Sequence, residues 1–141
     1  MSSIIDDKLV EQTYGLLISC MMQAKHRLID LAGNYDITGM QAIMVLLLDQ
    51  PCPMNSFTKV FNCDASNITG IVDGLENKGV ANRFPDKHDR RIKMVKLSPK
   101  GEKLRDHFIK LLVEDKQSNL FKLSNQELRD LNNILDKITE A

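Results

Sequence analysis

Apolar residues recur at helical spacing along most of this chain, and the pattern changes character only once. From about Ile4 to Leu31, the residues Ile5, Leu9, Leu16, Leu17, Cys20, Met21, Ala24, Leu28 and Leu31 predict one long helix. Gly15 is its weak point, and Gly33 with Asn34 suits its end. Thr38 and Gln41 form a capping-box pattern for a second helix, whose body is Ala42, Met44, Val45, Leu46 and Leu47. The run Gln50-Pro51-Cys52-Pro53 is expected to end it, because proline cannot donate within a helix and disfavours helix in the residue before it. A short helix through Phe57, Val60 and Phe61 leads to a turn at Asn62-Cys63.

The next helix is the most legible. Asp64 is placed to accept from free N–H groups of the first turn. Ile68, Ile71, Val72 and Leu75 follow as one apolar stripe. Ser66, Asn67, Thr69, Gly70 and Asp73 are left on the polar face. Lys78 suits the negative end of the helix, and Gly79 can adopt the left-handed conformation that stops it. Periodicity then switches to strand. VANRF and IKMVKL read as a hairpin around the tip PDKHDRR, which gathers Lys87, His88, Arg90 and Arg91 where nothing apolar could bury them.

Beyond the hairpin, Ser98-Pro99 starts a helix carrying Leu104, Phe108, Leu111 and Leu112, expected to persist to about Phe121. Ser124 and Glu127 form a second capping box ahead of Leu128, Leu131, Leu135 and Ile138. The first helix and the last two expose more apolar stripe than a winged domain of about 45 residues could cover. They are therefore expected to pack on each other and on a second copy of the chain.

Composition narrows the possibilities. With 141 residues, 43% of them hydrophobic, and only seven Gly and four Pro, the chain can bury a core and is not a disordered one. Lys plus Arg and Asp plus Glu each number 19, which alone argues against a nucleic-acid partner. The distribution reverses that argument. Residues 54–98 hold eight basic and five acidic side chains, an excess of three positive charges that the flanks balance. So small an excess gives weak binding by one copy, and two copies would strengthen it. Cys20, Cys52 and Cys63 are odd in number and lack a C-x-x-C motif, which points away from a disulfide scaffold and toward a reducing cytoplasm. The start MSSIIDDKLVEQ lacks a basic leader, and no apolar run approaches the roughly 20 residues of a membrane span.

A polar helix start beside a basic hairpin tip fits duplex DNA, with the helix in the major groove and the hairpin on backbone or minor groove. The segment from Ile37 to Gly101 resembles the winged helix-turn-helix of MarR-family transcriptional regulators. The resemblance rests on ITGMQAIMVLLL, DASNITGIVDGLENKGV, the Asp89-Arg90-Arg91 tip and the exit LSPKG, in one order over about 65 residues. It implies a mainly α fold with a small β-hairpin wing: an N-terminal dimerisation helix (1–34), a winged helix-turn-helix (35–98) and C-terminal dimerisation helices (99–141). It also implies a homodimeric regulator, commonly a repressor, that binds pseudo-palindromic DNA and can be released by a small amphipathic or aromatic effector.

Candidate DNA contacts follow. Ser66, Asn67 and Thr69 could reach base edges or phosphates, though a merely wetted helix face is the bland alternative. The resemblance implies that Arg91 enters the minor groove while Asp89 orients it. Lys87, Arg90 and Lys93 are assigned to phosphates, and His88 to a further DNA-facing donor. Gly70 departs from the family, which often carries a basic residue there. Gly74 adds a second glycine, and each costs about 1 kcal/mol against Ala in a helix. Cys20, on the apolar stripe, is expected to be a buried structural thiol rather than a sensor. Met21, Met22, Met40 and Met44 could line an effector pocket or simply fill the core. No nucleophile–base pair or metal-ligand set is visible, so neither an enzyme nor a cofactor is expected. A winged-helix protein-interaction module is the rival reading, supported by the neutral total charge and by the two glycines.

Overall fold

The structure is a computed structural model and describes residues 4–140. Six α-helices and a three-stranded sheet follow in the order α1 (Asp7–Gly33), α2 (Gly39–Leu47), β1 (Cys52–Pro53), α3 (Ser56–Val60), α4 (Ala65–Asn77), β2 (Ala81–Pro85), β3 (Lys93–Leu97), α5 (Pro99–Glu114) and α6 (Asn125–Thr139). A short 3₁₀ turn, Asn119–Lys122, lies between the last two helices. The chain divides into two compact units, Met1–Phe108 and Ile109–Ala141.

Local chemistry fixes most helix ends. Asp6 caps α1 by accepting from Lys8 N at 2.9 Å and Leu9 N at 3.4 Å, so the helix begins after Ile4 and Ile5 rather than at them. The Thr38/Gln41 and Ser124/Glu127 capping boxes are both formed. Asp64 caps α4, and Gly79 at φ +69° ends the turn that follows it. Asn62, at φ +48°, makes the turn between α3 and α4. Helix α2 stops at Leu47, ahead of the prolines. Pro51 instead precedes, and Pro53 ends, a strand that periodicity did not predict: Cys52 pairs with Val95, and Pro53 with Met94. The sheet order is β1-β3-β2, all antiparallel, with Ala81 opposite Leu97 and Pro85 opposite Lys93.

The expectation that α5 reaches Phe121 fails at Glu114. There the side chain of Asp115 accepts from Gln117 N at 3.1 Å, and Ser118 Oγ from Leu120 N at 3.4 Å. These local bonds give the backbone an alternative to continuing the helix.

The core of the first unit joins Ala42, Met44 and Val45 of α2, Phe57 of α3, Ile68, Val72 and Leu75 of α4, Val95 and Leu97 of β3, and Phe108 of α5. Tyr35 sets its ring edge-on to Phe108, with centroids 5.1 Å apart. Two glycines permit close approach. A Cβ on Gly74 would meet the Gln41 side-chain amide, and one on Gly101 would meet the Val80 carbonyl. In contrast, α1 buries Ala32 alone and leaves Leu9, Tyr14, Ile18 and Met21 exposed. Cys20 is exposed too, contrary to the expectation of a buried thiol, because the whole stripe around it lacks a cover within the chain. Met44 is a core residue at 0% exposure, while Met21, Met22 and Met40 are exposed.

Candidate nucleic-acid interface

The first turns of α4 and the tip of the β2–β3 hairpin supply every candidate contact. Burial of Ile68, Val72 and Leu75 forces the opposite face of α4 outward, and Ser66, Asn67, Thr69 and Gly70 are all exposed. Their chemistry differs in ways the sequence does not reveal. Ser66 donates its hydroxyl to Asp64 Oδ1 at 2.7 Å, and Thr69 donates to Ala65 O at 3.0 Å. Both hydroxyls therefore face outward chiefly as acceptors. Asn67 has no side-chain hydrogen bond to protein, so its amide keeps donors and acceptor available. Gly70 has nothing within 4 Å of where a Cβ would stand, so its backbone is open to close approach. The Ser66 hydroxyl, followed by the Asn67 N–H, stabilises the Asp64 carboxylate and holds its pKa below the usual value.

The wing tip is built by its own aspartates. Asp86 Oδ2 accepts from His88 N and Asp89 N, each at 3.1 Å, and Ile92 N bonds Asp89 O at 3.0 Å. Asp89 then grips Arg91 three times. Its Oδ1 accepts from Arg91 N and Nε at 3.0 Å each, and its Oδ2 from Arg91 Nη2 at 3.0 Å. This bidentate fork pushes the Asp89 pKa down and the Arg91 pKa up, chiefly through the side-chain bonds. Arg91 is nevertheless 91% exposed in its side chain, which makes it a cation with a fixed direction and a free outer surface. Lys87, His88, Arg90 and Lys93 are exposed around it, and Asp89 is half-buried.

A cleft of about 340 Å³ brings these two parts together. Ala65, Ile68 and Thr69 of α4, Met54, Asn55 and Thr58 around α3, and Arg91, Ile92 and Lys93 of the wing line it. Asn55 and Thr58 were not singled out from sequence, since α3 is only five residues long and shows no clear polar stripe.

Sequence reasoning also missed Arg83. It was counted with the basic residues of the segment, yet it faces α4. Its backbone N and Nε donate to Glu76 Oε1 at 3.0 and 2.8 Å, its Nη2 to Glu76 Oε2 at 3.0 Å, and Nη2 also reaches Asp73. The Glu76 pKa is lowered and the Arg83 pKa raised, in each case chiefly by their mutual side-chain bond. The signal available in sequence was the i, i+3 spacing of Asp73 and Glu76. No group of three or more His, Cys, Asp or Glu among the described residues could hold a metal ion.

Comparison with known proteins matches this geometry to a family. The MarR family model matches residues 42–93, from α2 to the start of β3. YpoP of Bacillus subtilis, described as an uncharacterised HTH-type transcriptional regulator, is 34% identical over 67 residues. That match covers 47% of this chain and about half, 48%, of the relative's length. The fold of wild-type apo MarR from E. coli superposes with a TM-score of 0.64 at 29% identity, covering 88% of this chain and 95% of that one. MepR of S. aureus, in a complex with DNA, superposes at 0.65 with 23% identity, covering 87% and 92%. Over residues 42–93 the chain thus matches the MarR family model, and its fold is similar to that of these solved winged helix-turn-helix proteins.

Proposed function

We propose that this protein is a cytoplasmic, sequence-specific regulator that binds duplex DNA as a homodimer, with α4 in the major groove and the wing against backbone and minor groove. The observation that carries this reading is the exposed Arg91 guanidinium held by Asp89 beside the polar first turns of α4. A preoriented, exposed Arg suits a narrow minor groove, where the potential is most negative. Asn67 is the candidate for base-edge contact, and Ser66 and Thr69 accept from bases or bridging water. Lys87, His88, Arg90 and Lys93 reach phosphates, fixing register and adding affinity without sequence information. Support for a homodimer comes from the uncovered residues of α1, among them Leu9, Tyr14, Ile18 and Met21, and of α6, Ile134, Leu135 and Ile138.

A two-fold dimer places two α4 helices in successive major grooves, so pseudo-palindromic half-sites lie about 10 base pairs or a near multiple apart. We assign repression as the outcome, relieved by a small amphipathic or aromatic effector that favours a different separation of the two helices. No helix among the described residues is long and apolar enough to cross a membrane.

The test is fluorescence anisotropy with the DNA upstream of the protein's own gene, at several salt concentrations, with a scrambled duplex as control. Specific binding should exceed the control by about a thousandfold and fall steeply with salt. Arg91→Ala should weaken it by about 1–3 kcal/mol and relax the preference at the minor-groove position. Unchanged affinity in that variant overturns the assignment of the wing. Equal, weak binding to the upstream and scrambled duplexes sends attention to the protein-interaction reading, which the open Gly70 and the neutral charge favour.

A further inference from the structure

The two elements proposed to read DNA are continuous with each other through one side chain. On α4, Gly70, Asp73 and Glu76 follow at intervals of three, so the stripe that begins at the exposed first turns runs down to the two carboxylates. On β2, Arg83 turns back toward this stripe instead of outward with the wing cations. It lies opposite Val95 in the hairpin, and its side chain is 29% exposed, against 49% for Asp73 and 30% for Glu76. A single carboxylate oxygen, Glu76 Oε1, receives both the backbone N–H and Nε of Arg83, so side chain and strand are fixed to the helix together.

We propose that Arg83, gripped by Asp73 and Glu76, is a positioning residue that sets where the wing stands relative to α4, and so whether both can engage one stretch of duplex. The inference rests on the DNA-binding reading above. The planar fork matters because it fixes orientation as well as distance, which a flexible ammonium would not. The arrangement also pairs both acidic side chains on the exposed stripe of α4, where bare carboxylates would oppose phosphates.

Charge alone and positioning predict opposite results for Glu76→Gln. This variant removes a negative charge near DNA, so a purely coulombic effect tightens binding. Loss of positioning weakens it, because the wing no longer arrives with α4. The decisive measurement is a double-mutant cycle in operator binding between Glu76→Gln, on α4, and Arg91→Ala, at the wing tip, which share no bond. In the wild-type background Arg91→Ala should lower affinity about tenfold or more. In the Glu76→Gln background the same change should cost less than about threefold, and the slope of log affinity against log salt should shrink by about two as wing phosphates are lost. Arg83→Lys, which keeps the charge and loses the fork, should reproduce the weakened coupling. Thermal unfolding of each variant, followed in parallel, separates coupling from loss of fold.

Equal effects of Arg91→Ala in both backgrounds, or tighter binding by Glu76→Gln, overturn the positioning role while leaving the DNA-binding reading intact. Failure of Arg91→Ala to alter wild-type binding instead overturns the wing reading, and this inference with it.

Discussion

Helices α1 and α4 are both amphipathic, yet the chain treats them oppositely. Ile68, Val72 and Leu75 of α4 are 0–1% exposed, and its polar face carries specific bonds to the cap at Asp64 and the clamp at Arg83. Helix α1 is about twice as long, buries only Ala32, and leaves Ile18 and Met21 more than half exposed. A helix completed by its own chain can devote its outer face to a ligand. One left apolar outside is not completed by its own chain, and under the homodimer proposed above its contribution to stability would depend on protein concentration.

The sharpest way to break this contrast is to truncate one residue in each helix. Leu75→Ala should cost about 2–5 kcal/mol of folding stability, at any protein concentration, in denaturant unfolding. Leu17→Ala, at a position already 39% exposed, should cost little in a monomer and show its effect only where dimers form. Next in size, Ile18→Glu with Met21→Glu should convert dimer to monomer in sedimentation equilibrium. Operator affinity should then fall about a hundredfold as the second binding event ceases to be intramolecular. A monomeric wild type would undo the account of α1.

Two glycines within α4 sharpen the comparison further. Gly74→Ala drives a methyl group into Gln41, whose Oε1 accepts from Thr38 N at 3.0 Å in the α2 capping box. It should destabilise by about 1–3 kcal/mol. Gly70→Ala meets open space and should stabilise by about 0.5–1 kcal/mol while weakening DNA binding if backbone contact is used there. The smallest effect concerns pH. Glu76 has its pKa lowered by Arg83, so its contribution is complete above the ordinary carboxylate value and is lost as pH falls through the depressed folded value. Glu76→Gln should therefore lose less stability than wild type on acidification, as followed by circular dichroism.

The sequence was most legible where one residue type does one local job. Asp64, Thr38, Ser124, Pro99 and Gly79 each mark a terminus by capping or by backbone conformation, and each stands where expected. Legibility failed where the outcome depends on a competing or distant group. Apolar spacing carries α5 onward to Phe121, but Asp115 and Ser118 capture backbone N–H groups first. Strand β1 has two residues, too few for any periodicity, and exists because β3 offers it an edge. Arg83 looks like any other wing cation until the fold turns it toward α4. Cys20 shows the converse limit: position on an apolar stripe forecasts burial only when something covers the stripe.

The bond from Arg83 N to Glu76 Oε1 has a further consequence for solution behaviour. Strand β2 is the outer strand of the sheet on that side, and outer strands carry unpaired N–H groups that recruit strands from other molecules. Glu76 occupies one of these donors with a carboxylate, and Pro85 at the strand's end has none to offer. Strand β1, at the other margin, is two residues long and ends in proline. Both margins of the sheet are thus poor templates for aggregation, so any self-association through the exposed apolar helices would proceed without the sheet growing into a fibre.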